Sequence, residues 1–419
     1  MLVALSASLS ILPAGQSVLD LPPFLYTAAP RYVAGEERFP SGAHLVLVSH
    51  NTRREFAAGF FASADATVSY DGRRILFSAR PTREDRWQIW ESNVDGGNRH
   101  RVFVSAEACI RPLYLPDGRV VYTRGSQIET ITLATGKIDV LTPFPGRYLT
   151  DDVLHDGRIL FEWDGELFTV YPDGTGVESV RCEHGPRRSG GRQVSTSDLI
   201  FGVDGGLARF TSPLTTQQKL APASLEIAGP IAEIAPDRWL VASRKGGEYA
   251  IYQTGPRSAR FDRVEAVQGL NAVEPVIVTA KVPPREFPSA LVQTRATGNL
   301  LCLDANEAKP PIDGKIQAVR VYTRDAAGAS HVFGSTKVAA DGSFYVEVPA
   351  NRPIRIELLD AAGGSLRAEH NWFWMRPSEQ RVCVGCHAGP ERAPENRVPE
   401  ILNQILTPVK MLGTNGHPQ

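Results

Sequence analysis

Cys383-Val384-Gly385-Cys386-His387 combines two thiols three positions apart with an imidazole directly after the second. Each thiol of such a pair can add to one vinyl group of a single haem, and the histidine then presents its ring to the iron. This is the spacing of c-type haem attachment, with His as a standard proximal ligand. Two other chemistries use Cys-x-x-Cys. A zinc knuckle needs a second Cys/His pair at suitable spacing, and downstream there is only His417. A thioredoxin-like dithiol belongs to a βαβ context and has no use for a following histidine. One covalently bound haem c is therefore the expected cofactor.

An iron held in this way takes His387 as its fifth ligand, and a sixth ligand or an open position remains to be chosen. Beyond Met1 the chain has two methionines, Met375 and Met411, eight residues before Cys383 and 25 after Cys386. Both are candidate sixth ligands. Met411 is preferred, because the loop after the motif is long enough to reach the distal face. His370 and His417 are rivals. Met/His ligation raises the potential and suits electron transfer, whereas an open iron suits small-molecule chemistry. Trp372-Phe373-Trp374 is the densest aromatic cluster, and Trp372 and Trp374 would share one face, to wall a haem or to pack a sandwich. Arg376, Arg381, Arg392 and Arg397 are candidate propionate partners through charge-assisted hydrogen bonds; the alternative is ordinary surface charge. Cys182-Glu183-His184 is a second cluster of ligand types, two ligands short of a closed zinc site.

The elements that must position these residues repeat through the first two thirds of the chain. Tyr70-Asp71-Gly72-Arg73-Arg74-Ile75-Leu76-Phe77 is echoed by Pro116-Asp117-Gly118-Arg119-Val120-Val121-Tyr122 and by His155-Asp156-Gly157-Arg158-Ile159-Leu160-Phe161. Weaker copies follow at Ser197-Asp198-Leu199-Ile200-Phe201 and Pro236-Asp237-Arg238-Trp239-Leu240-Val241. A period near 40, with a turn feeding an apolar strand, is the pattern of propeller blades. Asp-Gly supplies the tight turn, and the apolar run is expected to be an inner strand buried between neighbouring blades. Flanking strands near 44–49 and 276–280 complete six or seven blades, the N-terminal strand closing the ring. The repeats resemble TolB-type propeller repeats.

Beyond Val282-Pro283-Pro284 the pattern changes. Runs at 318–323, 343–348 and 354–359 read as strands between turns at Asp313-Gly314, Asp341-Gly342 and Gly363-Gly364. Phe344, Val346 and Val348 alternate onto one face, as in a small antiparallel sandwich of transthyretin-like type. A short helix is expected near 400–405. The fold class is all-β: a leader and N-terminal extension (1–35), a propeller (36–285), a β-sandwich (286–380), and a mostly irregular segment carrying the haem motif (381–419).

A formal net charge of −1 leaves no electrostatic footprint for nucleic acid. Haem attachment to such a motif takes place outside the bacterial cytoplasm, so export to the periplasm is expected. Residues 2–12 form an apolar run of the length of a signal-peptide core, without the usual basic n-region. No segment is apolar for long enough to cross a bilayer as a helix. A redox partner protein is the expected partner. Cys109, Cys182 and Cys302 remain as one disulfide plus a free thiol or as three buried thiols.

The stretch from Trp372 through the motif to Ala393-Pro394-Glu395-Asn396-Arg397, together with Gly298-Asn299-Leu300-Leu301-Cys302-Leu303-Asp304, resembles the middle-domain region of the hydrazine synthase alpha subunit family. The resemblance implies a propeller followed by a β-rich domain carrying one haem. It also implies chemistry on a small nitrogen or oxygen species as an alternative to electron transfer, or a propeller binding module with a structural haem. The family's namesake is thought to use a tyrosine as iron ligand at this haem; no tyrosine follows Tyr345 here, so His387 keeps the proximal role.

Overall fold

In the first three repeats one turn is built three times. The carboxylates of Asp71, Asp117 and Asp156 accept hydrogen bonds from the backbone N–H two residues on, at 3.0, 3.1 and 3.0 Å. Gly72, Gly118 and Gly157 take φ of 73°, 82° and 88°, a left-handed conformation that glycine adopts without cost. In the weaker copies Ser197 (69°) and Asp237 (62°) take the glycine's place. Asp198 and Asp237 are thus not equivalent to the earlier aspartates; Asp198 instead pairs with Arg209 at 3.0 Å.

The computed structural model describes residues 21–33, 42–50, 52–181, 186–212, 215–220, 225–258, 260–308, 310–325, 327–385 and 397–411. Among them are six four-stranded blades. Counted with the closing blade as the first, their innermost strands are Asn271–Ile277, Ala62–Val68, Cys109–Tyr114, Tyr148–Val153, Arg188–Gln193 and Glu226–Ala235. Each touches the next, and the last touches the first, which closes the ring. The apolar run after each turn is therefore the second strand from the axis, not the innermost. It is apolar throughout because both of its faces are covered. Ile75 and Phe77 pack on one neighbouring blade while Leu76 packs on the other.

The closing blade joins the two ends of the propeller sequence: Asn271–Ile277 pairs with Phe24–Ala29, followed by His44–Ser49 and Thr52–Glu55. All six residues of Phe24–Ala29 are buried. The ring thus begins within 1–35, earlier than the expected boundary at residue 36.

The second unit is a sandwich of two four-stranded sheets. One has the order Ser330–Lys337, Ala318–Arg324, Ile354–Leu359, Ser365–Ala368. The other has the order Gln380–Cys383, Thr297–Cys302, Phe344–Pro349, Val409–Lys410. Phe344, Val346 and Val348 enter the shared core as their alternation requires. The second sheet is mixed, since both of its edge strands pair in parallel. The segment from 381 onward accordingly supplies two strands and the Glu400–Gln404 helix, more structure than an irregular tail.

Candidate haem-attachment site

The first thiol of the motif lies at the end of an edge strand. Gln380–Cys383 runs parallel to Thr297–Cys302, with Cys302 and Cys383 in register. The Leu303 N–H donates to the Cys383 carbonyl oxygen at 2.9 Å. Cys383 carries a free thiol, half-buried, that packs on the sandwich core together with Phe373. Burial pushes this thiol above its ordinary pKa, and the Arg381 guanidinium pulls it part of the way back. It stays protonated at neutral pH and is poorly reactive until deprotonated. Cys386 and His387 lie outside the described residues, as do Arg392, His417 and Cys182-Glu183-His184.

Gly385, between the motif cysteines, is tightly seated. A Cβ on Gly385 would collide with the Glu307 carbonyl oxygen and lie 2.9 Å from that of Asp304. Gly385→Ala is expected to cost about 1–3 kcal/mol through overpacking. The loss is read from the melting temperature of the purified chain. An unchanged melting temperature would show that the loop tolerates the methyl.

Met375 and Met411 are both buried in the sandwich core, the same cluster against which Cys383 packs, with Cys302 among its members. Arg381 forms an ion pair with Glu379 at 3.0 Å and lies over the Phe373 ring. Arg397 pairs with Asp304 at 2.7 Å. Arg376 is turned toward the propeller turn 171–176, where its side chain presses on Gly174 and its Nε has no acceptor. His370 is exposed. The described part of the motif fits covalent haem attachment: a free thiol at a sheet edge, with an apolar core behind it.

Trp374 requires a correction. It does not line the space beside Cys383. Its side chain is fully buried between the third and fourth blades, against Phe144 and Trp163, and its indole N–H donates to the Gly174 carbonyl at 2.9 Å. Trp372 points elsewhere, beneath Arg324 and Arg355. Trp374 is thus a bolt between the two domains. Glu379 is another: its carboxylate accepts from the Gly176 N–H of the fourth blade at 3.0 Å and from the Arg376 N–H at 2.7 Å. Asn371 donates to Glu166 at 3.0 Å. The segment that leads into the motif is held to the propeller at every few residues.

The remaining cysteines are far less ambiguous than in the sequence. Cys109 is buried in the propeller, its thiol pushed up to about 11 by burial, and Cys302 is buried in the sandwich. Neither is part of a disulfide.

A second cluster, on the propeller axis, was missed by motif reading. Every innermost strand is bulged there. Asp65, Arg111 and Glu274 sit at three of the bulges with positive φ. The Arg111 guanidinium stands 3.0 Å from Asp151, 3.9 Å from Glu162 and 3.7 Å from Glu274, while its backbone N–H donates to Asp65. Burial pushes the Asp151 carboxyl well up and raises Glu274 to about 7, against the opposing pull of Arg111. A polar residue followed by proline inside a strand, as in Arg111-Pro112 and Glu274-Pro275, was the available sequence signal, since such positions mark bulges.

The architecture defines the class: a six-bladed β-propeller joined to a two-sheet β-sandwich whose edge strand opens a Cys-x-x-Cys-His motif. Residues 302–388 match the family model of the hydrazine synthase alpha subunit middle domain. Hydrazine synthase subunit alpha of Kuenenia stuttgartiensis is 22% identical over 542 residues, covering 88% of this chain. This chain spans 66% of that relative's length. The solved hydrazine synthase of the same organism superposes with a TM-score of 0.79 at 18% identity, over 92% of this chain and 72% of that one. TolB from Acinetobacter baumannii aligns over 61% of this chain and 66% of its own, with a TM-score of 0.49 and 16% identity. Residues 302–388 are thus similar to the middle domain of that family, and the fold of most of the chain is similar to that of the solved synthase. No helix among the described residues is long and apolar enough to cross a membrane.

Proposed function

We propose that this chain is an exported single-haem c-type protein that passes electrons to or from a partner protein, with the propeller as the docking scaffold. The observation that carries the reading is Cys383-Val384-Gly385-Cys386-His387 itself, inside the segment that matches the hydrazine synthase alpha middle domain. Bound haem supplies a one-electron iron couple. Cys383 and Cys386 would hold it through thioether bonds, and His387 would present its imidazole to the iron. Met375 and Met411 share the buried cluster on which Cys383 packs, and either would be the thioether available to the iron. Arg381, beside the motif, is the candidate propionate partner that would have to exchange its bond to Glu379.

The test is a pyridine haemochrome spectrum with mass spectrometry of the peptide spanning 383–387. The expected outcome is a c-type spectrum and a peptide heavier by one haem, both lost in Cys383→Ala with Cys386→Ala. An unmodified peptide from protein matured in a haem-competent periplasm would refute the reading. The second reading, an enzyme acting on a small nitrogen or oxygen species, is favoured by the likeness to a hydrazine synthase subunit. It requires the ferrous form to bind carbon monoxide; a six-coordinate low-spin spectrum unchanged by the gas would leave electron transfer.

A further inference from the structure

On the outward face of the Ala318–Arg324 and Ile354–Leu359 pair, two guanidinium groups share one indole. Arg324 lies 4.2 Å and Arg355 5.1 Å from the Trp372 ring centroid, and Arg355 is also 5.3 Å from Tyr322. Trp372 is buried beneath them. A third arginine of the same face, Arg320, is neutralised by Glu357 at 3.2 Å, and Tyr322 donates to that carboxylate at 2.8 Å. The acid next to Arg324 in sequence, Asp325, is taken by His331 at 2.9 Å. Arg324 and Arg355 themselves have neither an ion pair nor a hydrogen-bond acceptor among the described residues, and the Arg355 Nε is sealed from solvent.

Two cations on one ring repel each other, and a buried N–H without an acceptor costs about 1–3 kcal/mol. Stacking on an indole returns only about 0.5–1 kcal/mol per cation at exposed sites. A bound oxyanion offsets the repulsion between the two cations, since guanidinium forks match carboxylate and phosphate oxygens. We propose that Arg324, Arg355 and Trp372 form a binding site for a small oxyanion on the sandwich. Arg324 is exposed and leaves the site open to solvent. The indole fixes the direction of approach of both arginines.

The purified full chain is titrated with sodium sulfate and, in a second arm, with sodium succinate, against sodium chloride at matched ionic strength. Indole fluorescence and melting temperature are followed. A saturable response to sulfate marks a tetrahedral anion, and one to succinate alone marks a carboxylate. Either should weaken at least tenfold in Arg324→Gln and in Arg355→Gln, with partial recovery in Arg324→Lys. Absence of saturation in both arms, or responses unchanged by Arg324→Gln, overturns the proposal. Because Arg324 is exposed, that variant decides the question even where Arg355→Gln fails to fold.

Discussion

Trp374→Ala is expected to destabilise the protein by about 3–5 kcal/mol, the range for removing a fully buried large aromatic, and to uncouple the sandwich from the propeller. The indole is completely enclosed by the third and fourth blades, yet it belongs to the segment that enters the haem motif. Its removal leaves a cavity facing Phe144 and Trp163, and the Gly174 carbonyl loses its donor. The other ties are the hydrogen bonds of Glu379 and Asn371, the edge of Phe373 on the same cluster, and the stack of Tyr171 on Phe287, none of which encloses a whole side chain as the Trp374 pocket does. Urea unfolding followed by far-UV circular dichroism should therefore change from one transition to two, with the sandwich released first. Trp374→Phe keeps an aromatic ring in the cavity and forfeits the N–H donor, so a smaller loss is expected. A loss below about 1 kcal/mol for the alanine variant, within the range of ordinary surface substitutions, would mean that the docking rests elsewhere.

Arg111→Leu should be as damaging, for an electrostatic reason. The guanidinium from the third blade faces Asp151 and Glu162 of the fourth and Glu274 of the closing blade. Asp65, Arg192 and the Tyr32 hydroxyl complete the charged and titratable surroundings. Removing one partner of a buried ionic group typically costs about 3–5 kcal/mol, because the opposite charge stays buried without compensation. The pH dependence follows from Glu274, whose carboxyl is raised to about 7 from an ordinary 4.5. Between those values the folded chain holds a proton that the unfolded chain has lost, so stability falls as pH rises through this window and levels above it. The Asp151 carboxyl, also raised, acts in the same direction. Glu274→Gln should flatten the profile between pH 5 and pH 7, as read by melting temperature at a series of pH values. In Arg111→Leu the decline should steepen and extend to higher pH. A Glu274→Gln profile parallel to that of the parent chain would mean that this carboxyl is ionised throughout.

The legible parts of this chain were those governed by neighbours in sequence. Asp71, Asp117 and Asp156 announce turns because the carboxylate bonds to a backbone N–H only two residues away, with glycine supplying the left-handed step. In the next two repeats the strand was found, but Ser197 and Asp237 take the left-handed conformation in place of glycine. Alternation at Phe344, Val346 and Val348 found a strand and its buried face. The polar strand Ser330–Lys337 escaped notice, being mostly solvent-facing and carrying little apolar alternation. Phe24–Ala29 is apolar enough to read as a continuation of a leader, yet its pairing partner lies nearly the whole propeller away in sequence.

By itself the sequence determined the all-β class, the repeat, and the string Cys383-Val384-Gly385-Cys386-His387, because covalent spacing and local backbone preference need no partner. Only the tertiary structure decided that Trp374 belongs to the propeller and that Glu379 clasps Gly176 across 203 residues of chain. It also decided that Arg111 gathers acids from separate blades, whereas Arg324 and Arg355 are left without any. A side chain's type is set residue by residue; what it meets is set by ring closure and sheet packing, which bring together positions that no local pattern connects.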